Sequence, residues 1–416
     1  SSKRGSSPVV LPSRAPRARP LPARGRSPPF FLDRRRVPGR ERPSPGRAMA
    51  DKSESAEYYC LDFGRLPDEL YNPEAPQKEW EKHLTTAGKD GFKPGELSTI
   101  APIRPGEFVE RLIMYPLYMM LNAAPFLMPP LLWLTCGLRG CAYFVLATAG
   151  LHGLCLATKP MKGMKSAQYI FTERHSQKYN SIKWVWPKSL QPPNLTGPKL
   201  YCTIPHGLAP IGIVAYPGWT RMFGERLCRP TAASVVLKLP VISYKLKAIG
   251  YIEASSGPIK KALVDRQENV HVALDGIAGM FQKSKTEEVG WLKSRKGIVK
   301  IALTTGTPLV PVFGFGHSQL WRILMDPWGI LEKISVYLNV SVMLFCGRPF
   351  GLLPFGPPWR VPICMAFGEP IVVPKIPEPT QEQIDEYHAK LLESFMQAFE
   401  KHKASYGWGH KTLKLV

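Results

Sequence analysis

The sequence predicts an α/β protein with a mixed, largely parallel sheet, preceded by a hydrophobic helical hairpin. Three observations support this fold class: two long uncharged runs between residues 111 and 159, short β-branched runs alternating with helical segments from residue 160 onward, and a capped amphipathic helix near the C-terminus. Strands that alternate with helices are typical of βαβ units, which build parallel sheets.

The first 48 residues are basic and rich in Pro, Arg, Ser and Gly. They carry 13 Lys and Arg against two acidic residues, so +11 of the chain's net charge of +23 lies here. Such a segment cannot bury enough apolar surface to offset its ordering entropy, which predicts disorder. Two origins stay open: translated sequence upstream of a start at Met49, or an Arg-rich targeting segment. We favour the first, because the prolines oppose an amphipathic targeting helix.

Residues 49–110 are predicted to form an N-terminal region on the cytosolic side. The charge outside residues 1–48 suits a partner with phosphates or an anionic membrane surface. The eight cysteines form no C-x-x-C pair, which argues against a disulfide framework or a zinc site and favours a reducing location. The sequence also contains no P-loop, H-E-x-x-H motif or G-x-S-x-G elbow, so no metal or nucleotide cofactor is expected.

Residues 111–159 are predicted to form a membrane hairpin. Leu112–Leu138 and Gly140–Thr158 contain no Asp, Glu, Lys or Arg, and only Arg139 separates them. A membrane-spanning helix needs about 20 apolar residues, so both runs are long enough. Basic residues flank the pair at both ends, which places both ends in the cytosol. A spanning and a re-entrant hairpin both satisfy this pattern.

Residues 160–416 are predicted to form the large α/β domain. Predicted strands cover residues 200–204, 233–239, 269–274, 308–315 and 340–346, and predicted helices cover residues 256–267 and 294–306. A last helix begins after Thr380, which forms a capping box with Gln383. Apolar residues then recur at three- and four-residue spacing, which predicts a helix that packs by one face.

His206 stands where a predicted strand breaks into a turn. Pro205 ends the strand, and Gly207 lets a neighbouring group approach the backbone. Two interpretations fit these residues alone: an exposed turn histidine, or a base held at the mouth of a pocket.

Several stretches together resemble the type 2 diacylglycerol acyltransferase family, which includes monoacylglycerol and wax-ester acyltransferases. They are Pro205-His206-Gly207, "RKGIVKIALTTGTPLVPVFGFG" at residues 295–316 and "GEPIVVPKIPEPTQEQIDEYHAKL" at residues 368–391. The hydrophobic hairpin lies where such enzymes carry theirs. The resemblance covers roughly residues 105–410 and implies a membrane-anchored acyltransferase domain of an algal or protist-like member.

The chain departs from the family pattern at three places. Ile204 replaces the first histidine of H-P-H-G. The family's G-G-x-x-E segment reads Asp275-Gly276-Ile277-Ala278-Gly279, and His317 replaces a glutamate that often follows F-G. These departures leave activity and substrate choice open.

The resemblance implies transfer of a fatty acyl group from acyl-CoA to the free hydroxyl of diacylglycerol, which makes triacylglycerol. His206 is then the general base, since a hydroxyl is a weak nucleophile at neutral pH. Asp275 is the candidate that orients this base, with a helix-capping role as the alternative. Backbone amides near Gly207 or Gly276 are candidates for holding the oxyanion.

Coenzyme A brings phosphates to the site, and three basic residues are candidates to bind them. Arg295, Lys296 and Lys300 lead into or lie on a predicted helix. Contact with anionic lipid and a merely solvated face are the alternatives.

Acyl-CoA, diacylglycerol and membrane lipid are thus the expected partners. Acyl-CoA is a substrate, and no cofactor or nucleic acid is expected. The expected location is the endoplasmic reticulum membrane with a cytosolic catalytic domain, or the lipid droplet. The sequence leaves open a homo-oligomer, a monoacylglycerol or wax-alcohol acceptor, and a catalytically silent lipid-binding subunit.

Overall fold

The computed structural model describes residues 56–71, 77–109, 112–113, 124–157, 175–191, 194–212, 226–239, 242–276, 279–280, 284, 286–323, 326, 328–338, 343–348, 353–354 and 356–416. The described residues all belong to one compact unit, Met49–Val416. The predicted disorder of residues 1–48 lies outside the described residues.

The described residues form fourteen strands, numbered in chain order. They are β1 (Tyr58–Asp62), β2 (Leu84–Ala87), β3 (Lys183–Pro187), β4 (Leu200–Ile204), β5 (Cys228–Ala232), β6 (Ile252–Glu253), β7 (Asn269–Ala273), β8 (Glu287–Gly290), β9 (Leu309–Phe315), β10 (Arg322–Ile323), β11 (Phe345–Gly347), β12 (Leu353–Pro354), β13 (Cys364–Phe367) and β14 (Thr412–Leu415).

The same residues form eight α-helical segments. They are α1 (Gln77–Glu81), α2 (Ala124–Ala157), α3 (His175–Tyr179), α4 (Ile242–Ile249), α5 (Ser256–Lys260), α6 (Gly297–Thr305), α7 (Ile330–Leu338) and α8 (Gln381–Lys403). A π-helical turn, Lys261–Asp265, continues α5.

Nine strands form one sheet in the order β2-β1-β3-β13-β9-β4-β7-β5-β6. Among the described strands of this sheet, five neighbouring pairs are parallel and three are antiparallel. The prediction of a mixed, largely parallel sheet is confirmed. Strands β1 and β2, from the region 49–110, extend the same sheet that residues 160–416 build.

The sheet is buried on both faces. On one face Ile204, Val272 and Phe313 join a core that includes residues of α6 and α8. On the other face, Tyr201, Val312 and neighbouring aromatic residues form a second core. Strands covered on both faces are buried along their whole length, as β4 and β9 are.

The C-terminal helix α8 begins as predicted. The Thr380 hydroxyl accepts from the backbone N–H of Gln383, while the Gln383 side chain accepts from the backbone N–H of Thr380. The buried face includes Phe395 and Phe399, and the Phe399 ring stacks on Phe315 with ring centroids 5.8 Å apart. The helix thereby packs against the central strand β9.

Helix α2 folds back on itself within the predicted hairpin. Gly137 has non-helical backbone angles, φ 63° and ψ −160°. The Cys141 thiol donates to the carbonyl oxygen of Pro129 at 3.2 Å. Residues twelve apart in a straight helix lie about 18 Å apart, so this contact requires a reversal of direction. The turn is two residues before the predicted tip at Arg139.

The two arms of α2 are apolar and exposed. By length and composition, Leu131–Leu154 is the one stretch of the described chain that could cross a membrane, but the reversal at Gly137 divides it, and none of it is buried. Leu134, Leu138 and Tyr143 are each more than 70% exposed.

The predicted strand over residues 233–239 is wrong. The strand lies earlier, at β5, and residues 234–238 form turns instead. The reason is tertiary: β5 pairs with β7 through Cys228 and Asn269, and the Val-rich segment follows the end of that ladder.

The strands predicted at residues 200–204, 269–274 and 308–315 are confirmed to within one residue at each end. The predicted helices appear as α5 with its π-helical turn and as α6. Residues 340–342 lie outside the described chain, and β11 follows them.

Candidate active site

Three adjacent strands end at the same edge of the sheet and each is followed by a polar residue. Strands β9, β4 and β7 are parallel neighbours, with β4 in the middle. His206, Asp275 and His317 each lie two residues beyond the end of β4, β7 and β9 respectively. Because the carboxyl ends of parallel strands share one edge, the fold brings these residues together, at the edge where α/β sheets bind ligands.

The turn after β4 holds His206 in a tight backbone environment. Gly207 has a φ of 63°, and a Cβ atom there would lie 2.7 Å from the carbonyl oxygen of His317. Only glycine fits this close approach without strain. His206 is buried, with 8% of its side chain exposed.

Asp275 contacts His206 through both carboxylate oxygens. Its Oδ1 lies 2.5 Å from Nδ1 of His206, and its Oδ2 accepts from the backbone N–H of His206 at 3.0 Å. Asp275 is fully buried. This arrangement places the imidazole proton on Nδ1 and leaves Nε2 without a hydrogen-bond partner among the described residues.

Gly279 provides the space that the Asp275 carboxylate occupies. A Cβ atom at position 279 would collide with Oδ2 of Asp275. The backbone N–H of Gly279 also donates to the carbonyl oxygen of Asp275 at 3.3 Å, so the turn after β7 is closely wound. Any residue with a side chain at position 279 would therefore force the Asp275 side chain out of its observed rotamer.

The pKa of His206 is raised above its ordinary value of 6.5. Burial by itself lowers this pKa, but the charge of Asp275 and the hydrogen bond to it outweigh burial. The imidazolium of His206 is thus stabilised by the adjacent carboxylate. A base of this kind accepts a proton readily and holds it beside its counter-charge.

His317, which the sequence presented only as a departure from a family pattern, lies against the same turn. Its Nε2 accepts from the backbone N–H of Gly212 at 3.0 Å, and its Nδ1 donates to the carbonyl oxygen of Gly314 at 3.1 Å. Burial lowers the pKa of His317 to about 4. The ring is therefore neutral at physiological pH.

A cavity of about 760 Å³ adjoins the end of β7. Gly276, next to Asp275 in the chain, lines it, and so do Arg295 and Lys300. The structure does not bring Lys296 to this cavity. The Lys296 ammonium lies 2.7 Å from the carboxylate of Asp385 at the surface.

Sequence reasoning missed Lys260, which lines the same cavity from α5. Ser255, Ser256 and Ser294 contribute hydroxyls, and no acidic residue is among the lining side chains. Lys260 is 35 positions from Arg295, so its approach depends on the packing of α5 beside α6. No spacing in the sequence signals that contact.

Two backbone amides at the edge of the sheet are available as donors. In the described part of the chain, the N–H groups of Gly207 and Gly276 make no hydrogen bond. The described residues also contain no cluster of three or more His, Cys, Asp or Glu that could hold a metal ion. The described groups available for chemistry at this edge are thus an oriented imidazole and free backbone donors.

A family model described as "Diacylglycerol acyltransferase" matches residues 158–416. The match covers more than half of the chain, including the whole of the site.

Curated relatives agree with this match. The chain is 29% identical over 194 residues to diacylglycerol O-acyltransferase 2 of Homo sapiens, covering 43% of this chain and 49% of the relative. It is 28% identical over 269 residues to the Xenopus tropicalis protein of the same name, covering 60% and 73%. It is 40% identical over 127 residues to 2-acylglycerol O-acyltransferase 1 of Bos taurus, covering 28% and 37%. The chain thus spans about half the length of its human relative.

The solved structures that match include the 1-acyl-sn-glycerophosphate acyltransferase of Thermotoga maritima. The likeness covers 70% of this chain and 96% of that one, with 12% identity and a TM-score of 0.35.

Proposed function

The chain belongs to the diacylglycerol acyltransferase family, and on that premise we propose that it transfers a fatty acyl group from acyl-CoA to the free hydroxyl of diacylglycerol, making triacylglycerol. The observation that carries this proposal is the His206–Asp275 pair at the carboxyl edge of the sheet. A buried imidazole held by a carboxylate, with Nε2 left free, is suited to activate a hydroxyl group.

The proposed reaction uses His206 as base and then as acid. Nε2 takes the proton of the diacylglycerol hydroxyl as its oxygen attacks the thioester carbonyl carbon. The carbon–oxygen bond forms, the carbon–sulfur bond breaks, and the proton passes from the imidazolium to the departing thiolate of coenzyme A. Asp275 holds the ring and stabilises the imidazolium between the two transfers.

The backbone amides of Gly207 and Gly276 are the proposed donors to the oxyanion that forms in between. Both glycines have positive φ angles, 63° and 55°, which turn the chain sharply just beyond the strand ends. Fixed donors of this kind stabilise developing charge without reorganisation.

The cavity beside Gly276 is the proposed site for the phosphates of coenzyme A. Lys260, Arg295 and Lys300 line it, and none of them is in an ion pair within the described part of the chain. Three uncompensated cations around one cavity favour a polyanionic ligand. Gly276 lies both in this cavity and next to Asp275, so a ligand here lies close to the base.

The departure from the family pattern at Gly279 does not require a silent subunit. The carboxylate that the family pattern carries at the position of Gly279 is absent, but Asp275 fills the space that a side chain there would need. We infer that Asp275 supplies the carboxylate from a position four residues earlier. Loss of one acidic residue is thereby matched by gain of another within the same turn.

The two exposed arms of α2 are the proposed membrane anchor. The arm after Gly137 contains 20 residues, about 30 Å of helix, which matches the hydrocarbon thickness of a bilayer. We place it in the endoplasmic reticulum membrane with the catalytic domain in the cytosol, next to lipid droplets that receive the product. Basic residues on both flanks of the hairpin support this orientation.

A monoacylglycerol acceptor is the second candidate. The relative with 40% identity over its matched segment is a 2-acylglycerol O-acyltransferase, and this specific likeness favours it over a wax alcohol. The two reactions use the same base and the same donor, and differ in the acceptor.

One experiment decides between these functions. Full-length protein and His206→Ala are expressed in a yeast strain that makes no storage lipid. Membranes are supplied with labelled oleoyl-CoA and diacylglycerol, monoacylglycerol or fatty alcohol. We expect labelled triacylglycerol from wild type and none from His206→Ala at equal amounts of folded protein. Product from monoacylglycerol alone would favour the second candidate, and no product from any acceptor would favour the silent subunit.

The phosphate site has its own test, with a matched control on the same helix. Lys260→Gln is expected to raise the KM for oleoyl-CoA about tenfold with little change in kcat. Lys261→Gln, which removes an exposed charge that does not line the cavity, is expected to leave KM within twofold. Equal effects of the two substitutions would refute the site and indicate general attraction of anions.

A further inference from the structure

His317 is buried beside the proposed base, yet the proposed reaction gives it no proton to move. Only 2% of the residue is exposed, and both ring nitrogens already have partners. The titratable groups that interact electrostatically with the ring are His206, Asp275 and His271 of β7. The question is what the ring of His317 contributes at this position.

The hydrogen bonds of His317 define one tautomer. A carbonyl oxygen can only accept, so Nδ1 carries the proton that it donates to Gly314. A backbone N–H can only donate, so Nε2 is the unprotonated nitrogen that accepts from Gly212. The imidazole therefore bridges the end of β9 and the segment that follows His206, and only its neutral form makes both bonds.

Close packing around His317 leaves this bridge little freedom. A Cβ atom at Gly212 would lie 3.0 Å from Nε2, and one at Gly314 would lie 2.5 Å from Nδ1. The carbonyl oxygen of His317 also approaches Gly207 so closely that a side chain there would collide with it. The absence of side chains at Gly212 and Gly314 thus makes room for the ring of His317, and the absence of one at Gly207 makes room for its backbone.

We infer that His317 is a positioning residue: its neutral imidazole clamps the segment from Pro205 to Gly212 onto the end of β9 and so holds His206 against Asp275. The inference rests on the proposed function, because it assigns the clamp a role in that reaction. His206 is then fixed from two sides, by a carboxylate after β7 and by a clamp after β9. A shift of about 1 Å in a catalytic group can lower a rate by about 100-fold, so such a clamp has a measurable effect.

The test compares three full-length variants with wild type. His317→Leu removes both hydrogen bonds at similar volume, whereas His317→Gln keeps a neutral side chain that can donate and accept. His402→Leu is the matched control, since His402 is equally buried, is neutral because burial lowers its pKa to about 4, and packs against Tyr58 rather than the site.

The kinetic readout is kcat and KM for oleoyl-CoA, per folded protein, with the best acceptor found for wild type. We expect His317→Leu to lower kcat 10- to 100-fold with KM within threefold. We expect His317→Gln to recover at least fivefold of that loss, and His402→Leu to keep kcat within twofold. An unchanged kcat in folded His317→Leu overturns the inference, as does a His317→Gln variant no better than His317→Leu.

A readout without turnover separates this inference from the proposed function. The rate at which diethyl pyrocarbonate modifies His206, measured by peptide mass spectrometry across pH, reports the pKa of that imidazole. If His317 holds His206 on Asp275, the pH midpoint of His206 modification in His317→Gln stays near the wild-type value. The same midpoint in His317→Leu differs from wild type by at least half a pH unit. Identical midpoints in wild type and His317→Leu contradict the clamp, even if wild type proves inactive with every acceptor.

Discussion

Replacing Asp275 by Asn removes the charge beside His206 and changes the shape of the site little. The carboxylate accepts two hydrogen bonds from His206, at Nδ1 and at the backbone N–H. An amide has one acceptor oxygen, so one of these bonds is lost and the imidazolium loses its counter-charge. A hydrogen bond to a charged group contributes about 1.5–3 kcal/mol. At about 1.4 kcal/mol per tenfold change in rate, kcat should fall about 10- to 150-fold.

The pH dependence of the same variant has a defined sign. In wild type the charge of Asp275 raises the pKa of His206 above 6.5. The base is protonated below that pKa, so activity is lost as pH falls through it. Without the charge, burial is the main remaining influence and lowers the pKa. The acid limb of kcat/KM in Asp275→Asn should therefore lie at lower pH than in wild type.

The assay is labelled triacylglycerol formation from oleoyl-CoA and diacylglycerol between pH 5 and 8, normalised to folded protein. Asp326→Asn is the matched control, because Asp326 is also buried and its two oxygens accept from backbone N–H groups of Ile330 and Glu332. It should keep kcat within twofold. An Asp275→Asn enzyme with wild-type kcat and the same acid limb would refute the role of Asp275.

Three further predictions concern the packing around the site and the stability of the fold. Gly279→Ala should lower kcat at least tenfold, because its Cβ displaces the Asp275 carboxylate. Gly150→Ala, whose added Cβ would meet no atom within 4 Å beyond its own helix backbone, should not change the same assay. Lys411→Met should lower the free energy of unfolding by about 3–5 kcal/mol, because it leaves the buried carboxylate of Glu288 without the ammonium 2.6 Å away. Recovery of half that loss by adding Glu288→Gln in denaturant titrations would support the pair, and no recovery would contradict it. Because burial lowers the pKa of His402 to about 4, the unfolded chain binds a proton below pH 6.5 that the folded chain does not, so stability falls from pH 6.5 to pH 4. His402→Leu should therefore reduce that dependence by about 1.4 kcal/mol per pH unit, and an unchanged slope would show that His402 is not buried in neutral form.

The strands that position the site were predictable from the sequence because they are buried on both faces. Strands β4, β7 and β9 read as short β-branched runs bounded by turn residues, and their ends lie within one residue of the predicted ends. The Val-rich run at residues 233–239 shows the same local pattern but pairs with no strand among the described residues. Local propensity does not distinguish these two situations.

The candidate site was predictable only in part. His206 and Asp275 are the first polar residues after two strands, and a parallel sheet brings such positions together. His317 occupies the equivalent position after β9. Its proposed positioning role depends on two hydrogen bonds to backbone groups, which a pattern of side chains in the sequence does not predict. Lys260 lines the cavity because α5 packs beside α6. Lys296 does not line the cavity, because its side chain lies at the surface and forms an ion pair with Asp385.

The pH dependence of triacylglycerol synthesis by the wild-type protein is the decisive measurement for His206 as the base. We expect kcat/KM for oleoyl-CoA to fall on acidification through a single ionisation with a midpoint above 6.5, because Asp275 raises the pKa of His206. His317, with a pKa of about 4, titrates below this window. A rate that stays constant from pH 8 down to pH 5 would show that no such imidazole acts as the base.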